Sequence, residues 1–161
     1  MGIRFKFGKM SPLLPDERVL HNQACFRAVS SACLPSYRIW FNLPPLWATT
    51  LFVTNRRCLV VTDLFRAITQ EVDMWYSSHN PDDRTDIITT VSCKKGLFGR
   101  CLEIRSRDPK RPRQWLCSPN MTVRFFLKNP ESVENVILAA MNQKKAANRQ
   151  ADAALYRAPH P

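Results

Sequence analysis

Between positions 94 and 113 the chain gathers Lys94, Lys95, Arg100, Arg105, Arg107, Lys110, Arg111 and Arg113 against Glu103 and Asp108. Eight cations against two carboxylates leave a surplus of six, more than half of the chain's net charge of +11. Lys and Arg at this density bind anions: phosphate, anionic headgroups, acidic proteins or nucleic acid. Lys94, Lys95, Arg100, Arg105, Arg107, Lys110 and Arg111 are therefore the candidate lipid- or anion-binding residues. The same charges have a plainer use, because cations on an exposed strand keep its edge from pairing with other chains.

A second candidate is the aromatic, proline-broken stretch from Tyr37 to Trp47. Arg38, Trp40, Phe41 and Trp47 have the chemistry of a membrane or partner contact, since amphipathic aromatics favour the headgroup boundary and the centres of protein interfaces. The competing use is core, with the rings covering the open end of a barrel.

Catalytic chemistry finds no footing. There is no G-x-S-x-G, no P-loop, no G-x-G-x-x-G and no His-Glu metal helix, so no catalytic residue and no cofactor is expected. Asp82, Asp83 and Asp86 lack the spacing and glycine of a calcium loop and read as a solvated turn. The cysteines at 25, 33, 58, 93, 101 and 117 form no C-x-x-C pair, and the histidines at 21, 79 and 160 are scattered. No zinc spacing results, and the thiols are expected to be reduced and to serve as small hydrophobes.

Strands must carry the basic run. Asp86 to Cys93 and Cys101 to Ser106 read as a hairpin around KKGLFGR, with Gly96 and Gly99 relaxing its turn. Alternation sends Leu102 and Ile104 to the core and Glu103, Arg105 and Arg107 outward. Thr49–Val53 and Cys58–Val61 form another hairpin around Thr54-Asn55-Arg56-Arg57, where Asn55 suits a positive φ. Further strands are expected over Arg18–Val29, Ala67–Trp75, Trp115–Cys117 and Met121–Leu127. Asn129 then caps a helix with Pro130 at its first position. Val133, Val136, Ile137, Ala140 and Met141 make one apolar stripe along it.

This order predicts a mainly β fold with one C-terminal α-helix: a bent antiparallel sheet or open barrel capped by that helix. With 161 residues, 45% of them apolar, the chain is long enough for one cored domain. The expected division is a basic N-terminal arm at 1–15, the domain at 16–143 and a basic Ala-rich tail at 144–161. No stretch supplies the roughly 20 apolar residues of a membrane span, and the first residues lack the apolar core of a secretory signal. Gly2 fits a myristoylation start, but Lys6 stands where that motif requires Ser or Thr. A cytoplasmic location follows as an expectation.

Three stretches, in this order, resemble bacterial pleckstrin-homology-like and GRAM-type domains. They are LFVTNRRCLVV, DIITTVSCKKGLFGRCLEIRS and FFLKNPESVENVI. The resemblance spans roughly residues 17 to 142, with a proline-rich insertion at 35–47 and a long acidic loop at 76–86 as departures. It implies a PH-like module that binds a partner and does no chemistry. The phosphoinositide-binding subset flanks its first hairpin loop with basic residues; here Arg38 precedes a run, 48–53, that carries none. The expected role is peripheral association with an anionic lipid surface, at the inner face of the membrane, through the basic hairpin. A protein–protein scaffold with an acidic protein partner is the alternative. A nucleic-acid-binding protein using the same cations is a further one, without a helix-turn-helix, zinc or RNP-type motif to support it.

Overall fold

Period-two alternation of apolar residues, joined by short polar turns, accounts for most of the elements in the computed structural model, which describes residues 3–7, 12–31, 47–64, 68–77, 87–96, 99–107 and 120–157. The strands are β1 (Ile3–Phe7), β2 (Val19–Ser31), β3 (Trp47–Thr54), β4 (Arg57–Leu64), β5 (Ile68–Trp75), β6 (Ile87–Gly96), β7 (Gly99–Arg107) and β8 (Asn120–Phe126). One helix, α1 (Pro130–Arg157), follows them. The protein is thus mainly β with a C-terminal helix.

The strands form one sheet in the order β1-β5-β4-β3-β2-β8-β7-β6, and β6 returns to β5 through a parallel bridge between Trp75 and Ile87. All other pairings are antiparallel. The long strand β2 makes this curl possible. Its residues 19–25 pair with β3 and its residues 26–31 with β8, so one strand belongs to both halves of the sheet.

The concave face holds the core. Leu51 and Val53 of β3, Cys58 and Val60 of β4, Met74 of β5, Leu102 and Ile104 of β7, and Val123 and Phe125 of β8 are buried together. From α1, Val133, Ile137, Ala140 and Met141 enter the same cluster, with Val136 packed at its margin. The helical stripe expected from the sequence is the stripe observed. Each fully buried Val, Leu, Ile or Phe contributes about 1.5–3 kcal/mol relative to exposure. On β4 the run Cys58-Leu59-Val60-Val61 is buried throughout, so the sheet is covered on both faces there.

Three expectations are corrected. The arm at 1–15 contains β1, an edge strand paired with β5 from Ile3↔Val72 to Phe7↔Ile68. Ile3, Phe5 and Phe7 alternate with Arg4 and Lys6, and the cations obscure a five-residue strand pattern. The tail at 144–161 is helical as far as Arg157. Ala, Lys, Gln and Arg are good helix formers, and no Gly or Pro interrupts the chain between Pro130 and Pro159. β8 begins at Asn120 and pairs with β2 and β7; the strand expected at 115–117, like the acidic loop at 76–86 beyond Ser77, lies outside the described residues. The positive φ expected of Asn55 belongs instead to Asp16, at 61°.

Candidate anion-binding surface

The β6–β7 hairpin is longer than its hydrophobic pattern suggests, because pairing continues through the basic residues: Lys94↔Cys101, Lys95↔Arg100 and Gly96↔Gly99. Gly99, at φ 98°, supplies the left-handed backbone that brings the chain back. Lys94, Lys95, Arg100, Arg105 and Arg107 are all exposed, but they do not share one face. Lys94 is paired with Cys101 and therefore lies on the convex side with Glu103, Arg105 and Arg107. Lys95 and Arg100 have the opposite parity. Arg100 forms an ion pair with Glu131 in the first turn of α1. Both side chains are well exposed, so that contact adds little stability.

The convex face gains a cation that the sequence reading missed. Arg124 of β8 lies directly across from Glu103. Arg124 Nε donates to Glu103 Oε2 at 2.9 Å, and Arg105 Nε donates to Glu103 Oε1 at 2.9 Å. Alternation assigns Glu103 to the outer face. It is on that face, yet its side chain is only 2% exposed, covered by two guanidinium groups that are themselves about half exposed. Burial alone would push the Glu103 carboxyl up; hydrogen bonds and charge from Arg124 and Arg105 outweigh burial and hold it below its ordinary range. Only the pairing of β7 with β8 places Arg124 there. The signal in sequence is slight, a charged residue at an outward position of the last strand.

Lys94 and Arg107 form no ion pair among the described residues. Along β7, six residues separate the position opposite Lys94 from Arg107, or about 20 Å of strand. Four cations against one buried carboxylate over that length make a stripe, suited to an extended anionic surface. Lys110, Arg111, Arg38, Trp40 and Phe41 lie outside the described residues. Trp47 is the first residue of β3, opposite Leu64, and so belongs to the sheet and not to a connecting loop.

A second polar constellation is buried at the other side of the fold, and sequence reasoning missed it as a cluster. Arg57 Nε and Nη2 hold the two carboxylate oxygens of Glu17 at 2.8 and 3.0 Å, while Nη1 holds Asp73 Oδ2 at 3.0 Å. The guanidinium lies 5.1 Å from the Trp75 ring centroid. Thr54 Oγ1 accepts from the amides of Arg56 and Arg57 and contacts Glu17 Oε1 at 2.9 Å. Asn55 accepts from the Arg18 amide and donates to the Asp16 carbonyl. The Thr-Asn-Arg-Arg turn thereby fastens residues 14–18 to the β3–β4 hairpin. Arg57 supplies no nucleophile or base, and its contacts are internal, so the cluster is a structural latch. Nothing in the spacing of Glu17, Arg57 and Asp73 announces it.

Among the described residues no group of three or more His, Cys, Asp or Glu stands close enough to hold a metal ion. Asp82, Asp83 and Asp86 lie outside those residues. Among the described residues no helix is long and apolar enough to cross a membrane. Cys25, Cys58, Cys93 and Cys101 are free thiols. Cys93 is paired with Leu102 and Cys101 with Lys94, so the two cysteines flanking the turn face opposite sides of the hairpin. Compared with known proteins, the chain matches no family model, no curated protein and no solved structure.

Proposed function

We propose that this chain is a non-enzymatic, PH-like binding module that associates peripherally with anionic membrane lipids at the cytoplasmic face. The observation that carries the reading is the convex face of β6–β7–β8, where Lys94, Arg105, Arg107 and Arg124 are exposed alongside one buried carboxylate. Near an anionic leaflet each such cation contributes on the order of 1 kcal/mol. The PH-like part of the reading is supported by where the three resembling stretches fall. They occupy the β3–β4 hairpin, the β6–β7 hairpin and the step from β8 into α1.

The test is co-sedimentation with phosphatidylserine-rich and neutral vesicles near physiological ionic strength, about 0.15 M. Binding to the anionic vesicles alone is expected, and Lys94→Glu with Arg107→Glu should abolish it. Neither residue is ion-paired among the described residues and both are exposed, so the double variant should melt close to wild type, exposed substitutions costing within about 0.5 kcal/mol each. Reversal of Arg105 is a poorer probe because it strips a partner from Glu103. Tighter retention on DNA or RNA than on vesicles would replace the lipid reading with a nucleic-acid one, and retention on neither would leave an acidic protein as the partner.

A further inference from the structure

The cations of the convex face are of two kinds, and the difference points to a ligand. Lys94 and Arg107 extend from the sheet with no ion pair among the described residues. Arg105 and Arg124 are fixed, one to each oxygen of the same carboxylate. A long charged side chain ordinarily loses rotamer freedom when it grips an anion, which offsets much of the attraction. Here Glu103 has already ordered both side chains, and Glu103 is itself held in the sheet with 2% exposure. Each guanidinium presents five N–H donors. Arg124 uses Nε on Glu103, and Arg105 uses Nε and Nη2. The remaining donors have no partner among the described residues, and both side chains are about half exposed.

We infer that Arg105 and Arg124, braced by Glu103, form a clamp for a doubly ionised phosphate monoester. Two forks on a diagonal of adjacent strands lie several ångströms apart, a spacing that long side chains bridge. A phosphate monoester near neutral pH carries close to two charges and three terminal oxygens, enough to accept from both forks. A phosphodiester or a carboxylate carries one charge and two oxygens and satisfies one fork. The buried carboxylate is shielded beneath the guanidinium groups, so the incoming anion meets N–H edges. Lys94 and Arg107 add attraction without selectivity. The monoester can be a lipid headgroup or a soluble metabolite, since the clamp reads the phosphate. The inference rests on the convex face being anion-binding, as proposed above, and not on the anion belonging to a membrane.

The experiment compares vesicles carrying phosphatidic acid with vesicles carrying phosphatidylserine at matched surface charge, and adds soluble glycerol phosphate followed by amide shifts of β7 and β8. The wild type should prefer phosphatidic acid by about tenfold, the worth of one hydrogen bond between charged groups. The preference should grow from pH 5 to pH 7.4 as the monoester loses its second proton, whose pKa is about 6. Arg124→Gln should erase the preference and weaken phosphatidylserine binding by only about fivefold, the worth of one cation near an anionic surface, whereas Arg107→Gln should weaken both by about that factor and keep the preference. Arg124→Lys keeps the charge but not the fork and should also lose the preference, which guards against a misfolded Gln variant. Equal retention on the two vesicles, or identical effects of Arg107→Gln and Arg124→Gln, would overturn the clamp and leave the anionic-surface reading standing. Saturable, Arg124-dependent shifts with glycerol phosphate but no retention on vesicles would support the clamp and reject the membrane. Neither response would overturn both.

Discussion

Arg57→Ala removes the guanidinium that Glu17 and Asp73 share and leaves two carboxylates inside the protein. The three side chains are 5%, 0% and 3% exposed. Breaking a buried pair by deleting one partner costs about 3–5 kcal/mol. The lost contact with Trp75 belongs to the same desolvated cluster and should not be added in full. A net loss of about 4 kcal/mol lowers the melting temperature of a chain this size by roughly 8–16 °C. The pH dependence tests the cause. In the wild type, burial alone would raise the Glu17 carboxyl, but hydrogen bonds from Arg57, the Leu14 amide and Thr54 outweigh it and hold it below its ordinary range. A depressed carboxyl stabilises the fold above its unfolded pKa, about 4.3, and loses that contribution as pH falls through the folded value. Without Arg57, the largest of the lowering contributions and its charge are gone, and the Glu17 carboxyl moves up from its depressed value. The variant then loses the stability that the ionised Glu17 supplies above its unfolded pKa. Urea melts of both proteins should show a stability gap that widens between about pH 4 and pH 7. A gap below about 1 kcal/mol, or one that does not change with pH, would refute a desolvated, charge-compensated latch.

Three further outcomes follow from particular contacts. Ile137 is fully buried in the core, so Ile137→Ala should cost about 2–5 kcal/mol in a thermal melt; a melt that barely moves would mean α1 does not close the core. Gly99→Ala meets no neighbouring atom, but its φ of 98° is strained for any side chain, so a loss of about 1–2 kcal/mol should appear without any cavity or clash. Burial and the nearby Glu134 push the Cys93 thiol up to about 12. At pH 8 its thiolate fraction should be about 10⁻⁴, against roughly a quarter for an ordinary thiol, so mass spectrometry after timed alkylation should find it slow by about three orders of magnitude.

The amino-acid sequence by itself determined the elements whose pattern is local. Met121 to Leu127 alternates, Asn129-Pro130 starts a helix, and Val133, Ile137, Ala140 and Met141 fall on one face because 3.6 residues make a turn. The two hairpins around Thr54–Arg57 and Gly96–Gly99 were legible for the same reason, as was the exposure of Lys94 and Arg107. Sequence also held two signals that charge concealed: the alternation within Ile3–Phe7, and the lack of any breaker before Pro159, which lets the helix run to Arg157. Tertiary structure alone decided everything that depends on which strands become neighbours. Glu103 is buried, and not a solvated outward residue, because β8 brings Arg124 across from it. Lys94 and Lys95, adjacent in the chain, face opposite sides because the hairpin's pairing continues through them. Arg57 meets Glu17, 40 residues away, and Asp73, 16 residues away, through a turn and a strand pairing that no local spacing encodes. Side-chain periodicity is a property of one segment, whereas ion pairs across strands depend on register, and register is set only when the whole sheet assembles.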